Sequence, residues 1–183
     1  MKRALRADLL DFTGPPGWAK TECAAVRWRP DHWLLVGDDG RIVDAVPGAH
    51  EPGPDWQRTD HRGRLLMPGF IDSHVHAPQL DVLASYGTTL LDWLERYTFP
   101  AERAWADPAV AAAGSALFLD ELLACGTTSA VVFPTVHAGS VDALFAAAHE
   151  RGMRLVAGKV LMDRHAPDGL RDDVAGARAD SQR

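Results

Sequence analysis

The residues best suited to chemistry lie in one short segment, Pro68-Gly-Phe-Ile-Asp-Ser-His74-Val-His76. The apolar pair Phe70-Ile71 predicts an extended chain. Side chains alternate along such a chain, so residues at i and i+2 share a face. Two neutral imidazoles on one face can bind a single ion, and zinc accepts histidine readily. The pair stands at the C-terminal end of the predicted strand, the end at which an α/β barrel keeps its chemistry. A pair of exposed loop histidines is the plainer reading of a bare His-x-His. The Pro-Gly entry, the apolar strand and Asp72 favour the metal. A serine nucleophile at Ser73 is unsupported, because no Gly-x-Ser-x-Gly surrounds it. One class of zinc deaminase needs His-x-Glu followed by Pro-Cys-x-x-Cys. Neither occurs, so that class is excluded.

The elements that must position these histidines follow from pattern. Around them, Gly-Asp-Asp-Gly separates two β-rich runs between His32 and Val46, which predicts a hairpin. Residues 47–54 hold three prolines and two glycines, which predicts a loop. A domain boundary is expected near Met67, giving an N-terminal β-rich part, 1–66, and a second part, 67–183. In the second part Phe70 to His74 reads as a strand. Asp107 and Pro108 start a helix that ends near Gly126. Ser129 to Phe133 is a strand. Ser140 is expected to cap a helix from Val141 to Arg151, with Gly152 past its end. Arg154 to Met162 is the third strand. Alternating strands and helices with β-branched strands imply parallel pairing and an α/β fold. The tail from Val174 to Arg183 is small and polar and loses the pattern.

Composition limits the partners. Of the 183 residues 46% are hydrophobic and 24% charged, as in a globular protein. Acids outnumber bases 25 to 19 for a net charge of −6, which argues against nucleic acid or an acidic membrane surface as partner. Cys23 and Cys125 are too few for a disulfide scaffold and too far apart for a Cys-x-x-Cys metal pair. A reduced, cytoplasmic setting is expected. No signal peptide or membrane span is legible, since Asp120 and Glu121 interrupt the most apolar stretch.

The segment PGFIDSHVH resembles the first metal-binding motif of the amidohydrolase superfamily. HAPQ (76–79), YGTTLLDWLERYTFPAE (86–102), FLDELLACGTTSAVVFPTVH (118–137) and AGKVLMDRHAPDGLRD (157–172) narrow the resemblance to the guanine deaminase family. It runs almost continuously from Met67 to Asp173. The resemblance implies the N-terminal portion of a (β/α)8 barrel, about three strand–helix units, preceded by part of a small β-sandwich. It implies one zinc ion, with His74 and His76 as its first two ligands, and Gln79 as a contact to the purine base. The implied reaction is hydrolysis of guanine to xanthine and ammonia, with guanine as the small-molecule partner. The parent enzyme is open to being a homodimer. Another amidohydrolase acting on a different heterocycle and a non-catalytic remnant are the alternatives.

By the same resemblance, Trp93, Tyr97 and Phe99 belong to a loop over the site, although their helical spacing suits core packing as well. Some amidohydrolases bridge two metals with a lysine on the fourth strand; Lys159 is on the third, so a salt bridge or solvated end is the better reading. His137 follows the second strand without a partner, and His149 is expected at a helix surface. Asp163 and Arg164 are expected to support the site or to pair with each other. His165 departs from the family, which usually has asparagine there. A full barrel takes about 250 residues, whereas 117 follow from Met67 onward. The family's later ligands and its proton-carrying glutamate are therefore expected to be missing, so no catalytic residue is expected within this chain and it should be inactive alone.

Overall fold

The computed structural model describes residues 1–14 and 25–182; Cys23 and Arg183 lie outside them. Two compact units divide at Pro68 and Gly69. Among its described residues the first holds four strands: β1 (Arg3–Phe12), β2 (Val26–Val36), β3 (Ile42–Pro47) and β4 (Gln57–Leu66). Their order is β3-β2-β1-β4. β2 runs antiparallel to both β1 and β3, whereas β4 is parallel to β1. The hairpin between β2 and β3 turns at Gly37 and Gly40. Gly40 has φ +76°, and the Gly37 amide donates to the Arg41 carbonyl at 2.8 Å. Ala4, Ala7, Leu9, Trp33 and Val36 form the buried set of this unit. Trp33 satisfies its indole N–H on the Gly48 carbonyl, as a buried tryptophan must.

The second unit is a three-stranded parallel sheet with helices. β5 (Phe70–His76), β6 (Thr127–Phe133) and β7 (Arg154–Ala157) lie in the order β5-β6-β7. A 3₁₀ turn, Ala77–Val82, follows β5 directly. A helical stretch then comprises α1 (Leu90–Trp93), a π-helical turn (Leu94–Thr98) and α2 (Phe99–Ala104). The long helix α3 (Pro108–Ala124) starts where the sequence predicts, with the Asp107 carboxylate accepting from the Ala109 amide at 2.8 Å. α4 (Ala138–Arg151) ends at Gly152, whose φ of +65° suits glycine. Leu119 of α3 and Leu144 of α4 are fully buried with Phe118, Ala130 and Val132. Such burial contributes about 1.5–3 kcal/mol per large side chain. Arg151 closes the helix pair with two bonds to Asp120, at 2.7 and 3.0 Å. Gly114 is glycine by necessity, because a Cβ there would lie 2.6 Å from the Trp105 ring.

Three sequence expectations need correction. The third strand stops at Ala157 rather than Met162. Beyond it the Val160 amide donates to the Thr135 carbonyl and Lys159 turns to Asp172, so the chain leaves the ladder. Ser140 does not cap α4; the helix begins at Ala138 with His137 in the capping position. The Ser140 hydroxyl instead donates to the His137 carbonyl and bonds the Thr135 hydroxyl, each at 2.7 Å. The tail is not patternless, since Val174–Ser181 forms α5, capped by the Asp173 carboxylate on the Gly176 amide. Among the described residues, no helix is long and apolar enough to cross a membrane.

Candidate metal centre

The sheet of the second unit has two faces. Ala130 and Val132 lie in the core, and Val75, Leu155 and Ala157 pack against it. Ile71 and Val156 are 75% and 67% exposed, and both belong to the opposite face. Plain alternation from Ile71 would put Ser73 and Val75 on that exposed face and both histidines among the helices. The register prevents this. Asp72 pairs with Ala130, but Val75 pairs with Val132, so β5 carries one residue more than β6 across that interval. This bulge inverts the phase of the strand. Val75 turns to the core, and His76 comes to pair with Phe133. The bulge also removes the His74 amide from the ladder, and the Asp72 carboxylate accepts it at 3.0 Å.

The result is a compact aromatic group. The rings of His74 and His76 are 5.1 Å apart and nearly perpendicular, at 89°. Phe133 stacks on His76 at 4.9 Å and 18°, and meets His74 edge-on at 5.1 Å. A ring centroid lies about 1.2 Å from its nitrogens and a zinc–nitrogen bond is about 2.0–2.1 Å long, so two imidazoles on one tetrahedral ion have centroids roughly 5.2 Å apart. The observed spacing therefore suits two ligands of one ion. Burial, and then the charge of His74, hold the His76 imidazole below its ordinary range. That favours the neutral form, which is the form that binds a metal. Among the described residues, no group of three or more histidine, cysteine, aspartate or glutamate side chains comes together. His74 and His76 thus fit two positions of a metal site.

The other sequence candidates fall in different places. Gln79 is half-buried in the 3₁₀ turn just beyond His76. Trp93, Tyr97 and Phe99 are all half-buried and belong to the helical stretch rather than a loop, and the Trp93 indole donates to the Ser85 hydroxyl at 2.7 Å. Lys159 is ion-paired, with its ammonium 2.6 Å from Asp172 and its side chain only 3% exposed. His149 is exposed. Asp163 and Arg164 are exposed too, and no ion pair joins them among the described residues. His137 lies in the field of the Lys159 and Asp172 pair. Burial and the lysine charge press its imidazole downward, and its Nε2 has no hydrogen-bond partner among the described residues. Phe133 is the residue that sequence reading missed as part of the site. Its place at the end of the neighbouring parallel strand was the available signal.

His165 has φ +55°. Glycine and asparagine tolerate this left-handed region best, which gives a physical reason for asparagine at that place. His165→Asn is expected to stabilise the fold by roughly 0.5 kcal/mol, measured as a rise in the urea midpoint at unchanged slope.

The family model for the amidohydrolase family matches residues 65–183. The chain belongs to that family. It is 42% identical over 173 residues to guanine deaminase of Escherichia coli, an alignment that covers 93% of this chain and 39% of that protein. The crystal structure of guanine deaminase from Bradyrhizobium japonicum superposes with a TM-score of 0.89 at 35% identity, over 99% of this chain and 40% of the other. A guanine deaminase from C. acetobutylicum, solved with guanine bound in the active site, gives a TM-score of 0.83 at 26% identity, over 100% of this chain and 42% of that one. The chain thus spans about two-fifths of the length of these relatives.

Proposed function

We propose that this chain is the metal-binding N-terminal part of a guanine deaminase, which hydrolyses guanine to xanthine and ammonia. The observation that carries the reading is the 42% identity to a guanine deaminase across 93% of the chain. The 5.1 Å separation of the His74 and His76 rings, which suits two ligands of one ion, supports it chemically. In this reading residues 67–183 are the first strands and helices of a (β/α)8 barrel, and residues 1–66 are strands of a small β-sandwich. His74 and His76 hold one zinc ion through neutral imidazole nitrogens. When bound, zinc supplies a water whose pKa is drawn down toward neutrality. Gln79, one turn beyond His76, orients the purine through its amide, which can both donate and accept. The remaining ligands and the carboxylate that moves protons come from the length this chain does not span. The exposed Cys125 thiol suits a reducing, cytoplasmic setting.

The test is a fusion of this chain to the part of the Escherichia coli relative that lies beyond the alignment. The folded fusion should convert guanine to xanthine, lose the activity to a chelator and regain it with zinc. The 183-residue chain alone should give no xanthine above background. A folded, zinc-loaded fusion that leaves guanine intact would sink the proposal.

A further inference from the structure

We propose that Phe133 is a positioning residue for the histidine pair, fixing both ring planes so that their nitrogens meet at one divalent cation. The inference rests on the metal-site reading above and adds the group that orients the ligands. Metal-binding histidines usually owe their orientation to a hydrogen bond on the second ring nitrogen. Among the described residues, no hydrogen bond reaches either ring; the His74 bond to Asp72 uses the backbone amide. What both rings touch is Phe133. It lies nearly parallel to His76, at 18°, and meets His74 at 73°. These are the two arrangements that aromatic pairs prefer, offset stacking and edge-to-face. One ring therefore holds two imidazoles at right angles to each other.

The placement follows from the backbone. His76 and Phe133 are partners across the parallel ladder, so their side chains leave the sheet together on one face. His74, two residues earlier, rises on the same face, and the three ring centroids lie 4.9 to 5.1 Å from one another. Phe133 is 40% exposed and lies away from the helix layer. Its contacts are with the imidazoles rather than with the core, so replacing it leaves the packing of Ala130 and Val132 intact. A flexible aliphatic side chain in its place would still be apolar but would set no ring plane.

The experiment is a zinc sulfate titration of the 183-residue chain, followed by the ring-proton resonances of His74 and His76. It compares the wild type with Phe133→Leu, Phe133→Tyr and His74→Ala. Without metal, the wild type and Phe133→Tyr should show the His76 ring protons displaced by the stacked ring, and Phe133→Leu should lose that displacement. With metal, Phe133→Leu should bind zinc about tenfold more weakly, as is usual when an orienting neighbour is removed. Phe133→Tyr should restore the affinity. Equal affinity in wild type and Phe133→Leu, with His74→Ala clearly weaker, would overturn the positioning role and leave the metal site standing. Equal titration of wild type and His74→Ala would overturn both.

Discussion

Replacing His74 with alanine in the zinc-loaded fusion is expected to lower xanthine production by more than about a hundredfold. A residue that merely orients a ligand is worth about 10–100-fold in affinity or activity, and a ligand itself should exceed that. Catalytic zinc sites usually hold the ion with three protein ligands and keep one position for water. Losing one of the first two weakens retention and disturbs the geometry of what remains. The loss should appear as lower zinc content after dialysis and a lower kcat at saturating zinc. His149→Ala is the control, because that histidine is exposed in the last turn of α4, which leads into the start of β7 rather than the strand ends that carry His76 and Phe133. A fusion with alanine at position 74 that keeps full zinc and full turnover would remove His74 from the site.

The second large effect concerns stability. Glu102 of α2 is 5% exposed, and its Oε2 finds no hydrogen-bond partner among the described residues. Thr98, one helical turn earlier, and Ser115 of α3 are also buried with unpartnered hydroxyls. Burial alone pushes the Glu102 carboxyl up from 4.5 to about 7. Between those values the folded chain keeps a proton that the unfolded chain has released. Stability from this group is therefore complete below pH 4.5 and declines as pH rises to about 7. The decline is on the order of 3 kcal/mol, at about 1.4 kcal/mol per pH unit. Glutamine has the same shape and no charge to desolvate. Glu102→Gln should thus stabilise the fold by about 3 kcal/mol at pH 8 and by almost nothing at pH 4. Urea unfolding of both proteins at the two values checks this, since the other carboxylates titrate equally in each. A difference that stays constant with pH would show that Glu102 is not held neutral.

Much of the second unit was legible because its signals are local. Asp107-Pro108 marks a helix start by capping chemistry, and the β-branched runs mark parallel strands. That the His74 and His76 rings would lie side by side was legible as well, because alternation needs only the sequence of one strand. What was not legible depends on a second strand. The face on which the histidines emerge is set by an extra residue in β5 relative to β6, and nothing in Ile71-Asp72-Ser73-His74 announces it. The role of Ser140 was misread for a similar reason. A serine before a helical run is a sound capping signal, but Thr135, five residues earlier, draws its hydroxyl into the loop. The end of the third strand was set by Asp172, which draws Lys159 away from the ladder across 13 residues. The parallel pairing of β4 with β1 has no signature in either strand.

The bulge between Asp72 and Val75 sets sheet regularity against the site. A register slip that paired Ser73 with Val131 and His74 with Val132 would give β5 an unbroken ladder and free Asp72 from serving a stranded amide. By ordinary measures of strand quality, that regular strand would be the better one. It would also carry both imidazoles through to the helix layer, where no solute can reach them. Selection for stability alone would therefore erase this feature, and repeated rounds of thermostability screening without an assay for metal would be a direct route to losing it. The irregularity is the part of the strand that only function can maintain.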